Sequence, residues 1–248
     1  MAGHSKWANI QHRKGRVDAA RGKLWSRLSK AILIAAKQGG GDPAANIRLR
    51  KAIDDAKAVS MPKDNINRAI KKGTGELDGG NVDEVTYEGY GPGGVAVMCD
   101  ALTDNRNRTG PEIKTIFNKG GGEIGKTGCV SYLFEKKGLF VISGSDEETV
   151  TLLALEHGGD DVEPAGDDNW QLTCAPEHFD ALDDAIREAG LETDVREVQM
   201  LPTTTVDADG STATRVMRLL EQLDDHEDVQ SVSTNLNITD EMLTDSES

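Results

Sequence analysis

The net charge of the sequence changes sign near Gly75, and this change constrains the fold more than any other feature. Residues 1–75 contain 17 basic and 5 acidic side chains, a net charge of +12, whereas the later residues contain 11 basic and 38 acidic side chains, a net charge of −27. A chain of 248 residues is long for one compact domain, so two or three domains are expected. The basic segment is predicted to contact nucleic acid, and the acidic segment is expected to be repelled by phosphate.

The basic segment has the residue periodicity of α-helices. Three helices are predicted, over residues 18–37, 43–59 and 62–72. Asp18 and Asp42 are suitable N-caps, and Pro43 suits the first position of a helix. The apolar side chains of the first helix fall within about 60° of one another, and they are Leu24, Leu28, Ala31 and Ala35. Three short helices of this kind predict a small bundle.

The acidic segment alternates between strand and helix patterns. A hairpin with its turn at residues 91–94 is predicted first, followed by a helix over 108–119 and a strand over 129–134. Residues 138–201 then have the order β-α-β-β-α-β of the ferredoxin-like arrangement. A final helix over 213–223 and a strand over 228–235 would complete the unit that the ferredoxin-like region interrupts.

These patterns predict an α+β multidomain protein. It should consist of an N-terminal three-helix bundle plus two α+β domains, one ferredoxin-like and inserted in the other. The expected boundaries are a basic flexible arm at 1–17, the bundle at 18–75, an α+β domain at 82–135 and 203–240, and the inserted domain at 136–202.

Basic side chains are concentrated in the arm and along one flank of the first helix. The flank falls within about 80° beside the apolar stripe, and its members are Lys23, Arg27, Lys30 and Lys37. The bases nearer the N-terminus are Lys6, Arg13, Lys14, Arg16 and Arg21. Trp7 has no evident core to join, so it could stack on a base or fold back on the bundle. We expect these residues to contact a polyanion.

The polar loop over residues 103–109 carries Arg106 and Arg108 in an otherwise acidic region. Arginine and asparagine suit phosphate and base edges. A helix cap followed by a solvated turn fits the same loop equally well. The sequence leaves both interpretations open.

Residues 120–127 match the phosphate-binding motif G-x-x-x-x-G-K-[ST] letter for letter. A phosphate-binding loop needs a strand before it and a helix after it. Here a predicted helix precedes the motif and a predicted strand follows, so we interpret the glycines as a helix terminus and a loop.

The histidines and cysteines have no metal-ligand spacing, and no catalytic constellation is assembled. We therefore predict a protein that is not an enzyme, with no metal, no cofactor and reduced cysteines.

Three stretches of the chain closely resemble the YebC/PmpR family. They are AGHSKWANIQHRKGRVDAARGKLWSRLSKAI, GGGDPAANIRLRKAIDDAKAVSMPKDNINRAIKKGTG and YEGYGPGGVAVMCDALTDNRNRT. The resemblance implies the three-domain fold described above. It also implies that the segment containing His4, Lys6 and Trp7 and the turn containing Met61 and Lys63 face nucleic acid.

The resemblance leaves two functional hypotheses. Members of the family are described as probable DNA-binding transcriptional regulators, whereas mitochondrial relatives activate translation and bacterial relatives are tied to relief of ribosome stalling at proline-rich stretches. Neither hypothesis assigns an enzymatic activity to the protein. We expect a cytoplasmic protein, with monomer favoured, that has DNA or ribosomal RNA as its partner and no membrane or small-molecule partner.

Overall fold

The structure, a computed structural model, describes residues 21–79, 81–166 and 169–239. These residues form seven α-helices and two four-stranded antiparallel sheets. The predicted fold class is confirmed, because a three-helix bundle precedes two α+β units and one of these units interrupts the other. The predicted arm at 1–17 lies outside the described residues. The boundaries assigned to the domains stay a prediction.

The helices and strands follow one another in an order that defines the three parts. The bundle contains α1 (Arg21–Gly39), α2 (Ile47–Ala58) and α3 (Lys63–Gly73). The second part begins with β1 (Asp83–Tyr90), β2 (Ala96–Thr103), α4 (Arg106–Lys119) and β3 (Glu123–Ile124). The inserted part contains β4 (Phe134–Ser143), α5 (Glu147–His157), β5 (Gly159–Gly166), β6 (Asn169–Cys174), α6 (Phe179–Glu188) and β7 (Glu192–Pro202). The chain then completes the second part with α7 (Gly210–Asp224) and β8 (Val229–Thr234).

The second helix begins later than predicted, because Asn46 rather than Asp42 caps it. The Asn46 side chain accepts a hydrogen bond from the Leu49 amide at 3.1 Å. Its Nδ2 donates to the carbonyl oxygens of Ala35 and Gly40, each at 2.8 Å. One buried amide therefore caps α2 and also satisfies carbonyl groups at the end of α1.

Helices α1 and α3 run side by side in the same direction. The Trp25 indole near the start of α1 donates to the carbonyl oxygen of Val59, just before α3, at 3.3 Å. At the other end of these two helices, Gly73 of α3 packs closely against Leu33 and Ala36 of α1. The buried side chains between the three helices are Ile32, Ala35, Ala36, Leu49, Ala52, Ile53, Ala56, Met61, Ile66 and Ala69.

The two sheets confirm that the last helix and strand return to the second part of the chain. The first sheet has the order β3-β1-β2-β8, and the second has the order β5-β6-β4-β7. Strand β8 pairs antiparallel with β2, although the whole inserted part separates the two strands in the sequence. Helices α4 and α7 pack on one face of the first sheet through a core that includes Ile113, Phe117, Val216 and Leu219.

The strand predicted over residues 129–134 is wrong. Residues Ser131–Leu133 form a 3₁₀ turn, and β4 begins only at Phe134 and belongs to the inserted sheet. The fourth strand of the first sheet is instead the two-residue β3, within the glycine-rich segment that we expected to be a loop. The apolar residues Val130 and Phe134 cover the second face of that sheet, against Ala96 and Met98. A covering segment and a strand have the same apolar composition, so periodicity could not separate them.

Replacing Gly73 with alanine should destabilise the bundle. A Cβ at this position would lie within 2.7 Å of the Ala36 Cβ, and closer still to the Leu33 carbonyl oxygen, so α1 and α3 would have to separate. We expect a loss of about 1–3 kcal/mol in the free energy of unfolding, measured by urea denaturation. Gly22→Ala is the matched control, because nothing lies within 4 Å of its added Cβ. Equal stability of the two variants would contradict the close helix crossing.

Candidate nucleic-acid interface

The basic side chains of the bundle divide into two groups that face in different directions. One group faces the acidic α+β parts of the protein and pairs with their carboxylates or carbonyl oxygens. The other group faces outwards from the bundle. This division decides which cations are available to bind a partner.

The flank of α1 faces the C-terminal end of α7. Lys23 Nζ donates to the carbonyl oxygen of Asp225 at 3.2 Å. Arg27 hydrogen bonds the backbone carbonyl of Asp224 and lies 3.2 Å from its carboxylate. The C-terminus of a helix carries partial negative charge, which favours cations at this position. Two bases that the sequence assigned to nucleic acid are therefore engaged with the protein itself.

Lys30 belongs to a buried cluster around Asp228, which we call the Asp228 cluster and which consists of Lys30, Arg108, Thr109 and Asp228. The Asp228 side chain is 0% exposed. Lys30 binds one of its oxygens, while Arg108 Nη2 at 2.8 Å and Thr109 Oγ1 at 2.6 Å donate to the other. The Asp228 carbonyl also accepts the Leu102 amide at 2.8 Å. The cluster joins α1 to the start of α4 and to the segment before β8.

The pKa of Asp228 reflects these partners. Burial raises the pKa of the carboxyl group, but hydrogen bonds from two cations and a hydroxyl outweigh burial and lower the pKa from its ordinary value of 3.8 to about 2. The group is therefore ionised throughout the neutral range. Its negative charge is the partner that a phosphate would otherwise supply to Lys30.

Helix α2 also turns cations towards the rest of the protein. Arg48 pairs with Glu84 of β1, which Gln38 also contacts at 3.1 Å. Lys51 lies over the ring of Phe179 in the inserted part, with 4.6 Å between Nζ and the ring centroid. Burial lowers the pKa of Lys51, although neighbouring carboxylates oppose this effect. These contacts fix the orientation of the bundle against both α+β parts.

Helix α3 presents its polar side away from these contacts. Lys63, Asn67 and Lys71 succeed one another at four-residue spacing and fall within about 80° on the helix, and Arg68 lies beside them; all four are exposed. We call these four residues the α3 outer face. None of its three cations has an ion pair within the described part of the chain. Among the described residues of the bundle, this face is the largest set of exposed cations on one helix that have no ion pair.

Lys37 and Arg50 extend the outward charge. Lys37 is exposed and follows Ala36, which packs against Gly73 at the end of α3. It therefore lies at the same end of the bundle as Lys71. Arg50 is exposed on α2, on the flank opposite to Arg48. Of the flank predicted on α1, only Lys37 lies at the outward end.

The structure corrects the role predicted for Met61. Its side chain is 5% exposed and packs in the bundle core, so it cannot contact nucleic acid there. Lys63, from the same predicted turn, is exposed at the start of α3. The Met61 side chain is buried because the loop between α2 and α3 covers one end of the bundle core.

The loop over residues 103–109 serves as a helix cap. Asn105 caps α4 by accepting a hydrogen bond from the Arg108 amide at 3.2 Å. Arg106 Nε lies 2.9 Å from Asp83, and Arg108 belongs to the Asp228 cluster. The helix-cap interpretation is confirmed, and each arginine faces a carboxylate of the protein.

The remaining predicted site residues lie outside the described part of the chain. They are His4, Lys6, Trp7, Arg13, Lys14 and Arg16. The backbone of Arg21 begins α1, but its side chain also lies outside the description. Their contacts with nucleic acid stay a prediction.

The glycine-rich motif has the surroundings expected of a helix terminus. Helix α4 ends at Lys119, and the amides of residues 120–122 donate to carbonyl oxygens of α4. The amides of Gly128, Val130 and Ser131 donate to the Glu88 carboxylate at 2.7–3.0 Å. Burial raises the pKa of Glu88, but these amide donors outweigh burial and lower it. The backbone donors beside the motif are thus occupied by the protein.

Other chemistry is sparse among the described residues. They contain no group of three or more histidine, cysteine or acidic side chains that could hold a metal ion. The three cysteines are free, with Cys99 and Cys174 buried and Cys129 half-buried. No described helix is long and apolar enough to cross a membrane.

Sequence reasoning missed Asn67, Arg68 and Lys71 as candidate site residues. The signal was present, since Lys63, Asn67 and Lys71 are spaced to share a side of a helix. It was weak because the same spacing is found on any solvated helix face. Only the docking of α1 and α2 against acidic partners distinguishes α3 as the outward helix.

Replacing Asp228 with asparagine should destabilise the protein and remove a pH effect. We expect a loss of about 3 kcal/mol, because Lys30 and Arg108 would lose a buried charged partner. The folded pKa of Asp228 is depressed, so its contribution is present above pH 4 and is lost as the pH falls towards about 2. Thermal unfolding measured between those pH values should show a smaller acid-induced drop for Asp228→Asn than for the wild type. The control is Asp225→Asn, which removes an exposed carboxylate of the same segment; similar acid curves for the two variants would refute the cluster's role.

Comparisons with known proteins place this architecture in a family. Residues 5–76 match the model of the TACO1/YebC protein N-terminal domain, and residues 82–236 match the model of the TACO1/YebC second and third domain. A probable transcriptional regulatory protein of Rhodopirellula baltica is 68% identical over 246 residues, which cover 99% of this chain and 100% of the relative. One from Desulfatibacillum aliphaticivorans is 52% identical over 245 residues, covering 98% and 99% of the two chains.

A solved structure has the same fold. The crystal structure of a conserved hypothetical protein from Aquifex aeolicus matches with a TM-score of 0.84 and 44% sequence identity. The match covers 92% of this chain and 95% of the other. The two family models together span nearly all of the sequence in chain order. The chain therefore belongs to the TACO1/YebC family.

Proposed function

We propose that this protein is a non-enzymatic regulator of gene expression that binds nucleic acid through the outer side of its helical bundle. The observation that carries the proposal is the α3 outer face, whose exposed cations have no acidic partner in the described part of the chain. The names of the bacterial relatives, probable transcriptional regulatory proteins, support the regulatory role.

The shape of α3 suits duplex DNA. Its 11 residues span about 16 Å, and the side chains of its outer face are exposed. A major groove admits one α-helix, and asparagine and arginine are the side chains that pair with adenine and guanine edges. Asn67 and Arg68 could read bases while Lys63 and Lys71 bind the flanking phosphates. We therefore assign base contacts to the middle of α3.

The acidic remainder of the protein would restrict the contact to the bundle. Residues 76–248 carry a net charge of −27, which opposes the approach of phosphate. The single acid of α3, Asp64, lies in its first turn, where negative charge complements the helix dipole. The proposed interface includes Lys37 and Arg50 at its edges. The arm, with Lys6, Trp7 and the neighbouring bases, would extend it.

Ribosomal RNA is the second candidate target, with a role in translation. The observation that favours it is the exposed ring of Tyr132, which is 71% accessible and whose side chain interacts with that of Tyr90. Exposed aromatic rings stack on unpaired bases, which single-stranded RNA offers and duplex DNA does not. The tyrosines lie in the second part of the protein, so this target would engage more than the bundle.

Neutralising the α3 outer face should weaken binding and its salt dependence. For Lys63→Gln with Lys71→Gln, which removes the two proposed phosphate contacts, the slope of log K against log salt should fall by about 1.8 on duplex DNA, or by about 1.4 on single-stranded RNA. Fluorescence anisotropy with labelled DNA and RNA of the same sequence measures both slopes.

The matched control for this experiment is Lys23→Gln with Arg27→Gln, which removes the same charge from the side that faces α7. It should leave the slope nearly unchanged, because those bases are already engaged by the protein. A larger loss for the control than for the α3 variant would mean that the α1 flank, not α3, contacts phosphate. Circular dichroism of both variants separates unfolding from lost contacts.

Sedimentation distinguishes the two targets. Comigration with ribosomes in a sucrose gradient, lost on deletion of residues 2–16, supports the translational role. Sequence-selective duplex binding that survives competitor DNA, without ribosome association, supports the transcriptional role. Absence of both associations would refute the proposed function.

A further inference from the structure

The acidic part of the protein contains basic residues that no acid neutralises. Of its 11 basic side chains, five pair with a carboxylate within the described residues, and they are Arg106, Arg108, Lys137, Arg187 and Arg196. The other six have no ion pair there and are exposed, and they are Lys114, Lys119, Lys126, Lys136, Arg215 and Arg218.

Three of these six cations come together where α4 ends against α7. The Gly120 position closes against the Leu219 side chain, and the Arg215 guanidinium lies directly against Gly121. Lys119 is the last residue of α4, and Arg218 lies one turn after Arg215 on the exposed side of α7. We call Lys119, Arg215 and Arg218 the α4–α7 surface.

Glycine explains the close position of Arg215. Gly121 has a φ of +79°, and a Cβ there would collide with the guanidinium. The glycine therefore allows the Arg215 side chain to lie on the backbone at the end of α4, where the C-terminal helix dipole also attracts a cation. The arginine has no ion pair within the described residues, so no carboxylate there neutralises its charge.

A groove lies between the start of α1 and helix α4. Lys23 at the start of α1 borders this groove, and Thr115 and Ile116 of α4 line it. Lys119 lies one helical turn beyond Thr115 on the same side of α4. Glu112, Asp225, His226 and Glu227 also line the groove, with His226 bonded to Glu112 at 3.0 Å. These three carboxylates would repel phosphate, so the groove separates the α4–α7 surface from the bundle.

We propose that the α4–α7 surface is a second contact for the phosphate backbone of the nucleic acid that binds the bundle. This inference rests on the proposed function and adds a second, separate contact in the α+β part. Three unneutralised cations on a short stretch of surface match the repeated negative charge of a phosphate backbone. Two separated contacts would fix the direction of the strand across the protein, which one contact cannot do.

The test compares Arg215→Gln with Arg218→Gln against a control pair, Lys136→Gln with Arg187→Gln. Both pairs remove two positive charges from exposed positions of the acidic part. The probe is a fluorescein-labelled single-stranded RNA of about 30 nucleotides, together with its DNA duplex counterpart. The test pair should lower the salt slope by about 1.4 on RNA or about 1.8 on the duplex, and the control pair should leave it unchanged.

Each outcome decides the inference separately from the proposed function. If both pairs behave as the wild type while Lys63→Gln with Lys71→Gln loses affinity, the second contact is refuted and the bundle contact stands. If the α3 variant also retains full affinity, both proposals fail. Displacement of the RNA by poly-glutamate of equal charge, as effective as displacement by unlabelled RNA, would show a site for any polyanion and would overturn the assignment to nucleic acid.

Discussion

The buried carboxylate of Asp228 is the interaction on which the arrangement of the parts depends. It accepts hydrogen bonds from Lys30 of the bundle and from Arg108 and Thr109 of α4, and its backbone carbonyl accepts the amide of Leu102 in β2. A buried carboxylate with fewer partners would be costly, because burial strongly disfavours an isolated charge. The bundle is therefore held in the orientation that supplies Lys30. That orientation turns the flank of α1 inwards and leaves α3 outwards.

The excess of acidic residues after residue 75 has two electrostatic effects, one at contact distance and one at longer range. At contact distance, the acids at the end of α7 neutralise cations of α1, as the Arg27 and Asp224 pair shows. At longer range, the remaining acids repel phosphate from most of the α+β surface, although salt screens this effect beyond about 10 Å. The unneutralised cations of the α3 outer face and the α4–α7 surface stand out against this background. Under the proposed function, local pairing and long-range repulsion together confine polyanion binding to a small part of a large acidic protein.

Much of the fold could be predicted because its signals are local. The period of apolar residues located the three helices, and the order of patterns after residue 138 indicated the ferredoxin-like insertion. The wrong predictions concern local patterns that are compatible with two different structures. Residues 129–134 are apolar because they cover a sheet, not because they form a strand, and Asn46 caps α2 by binding carbonyl groups of α1 that precede it. Met61 resembled a surface residue in a turn, yet its turn closes the bundle core.

The sequence by itself determined that positive charge is gathered at the front of the chain, that a helical bundle carries it, and that the chain contains two α+β units with one inside the other. These properties depend on composition and short-range periodicity, which any segment displays without its partners. Only the tertiary structure decided which cations remain available. Lys30 and its partner Asp228 are separated by 198 positions, and nothing in the spacing of either residue indicates the other. The electrostatic energy of a pair depends on the distance and burial of both charges, so the availability of each cation was settled when the parts packed together.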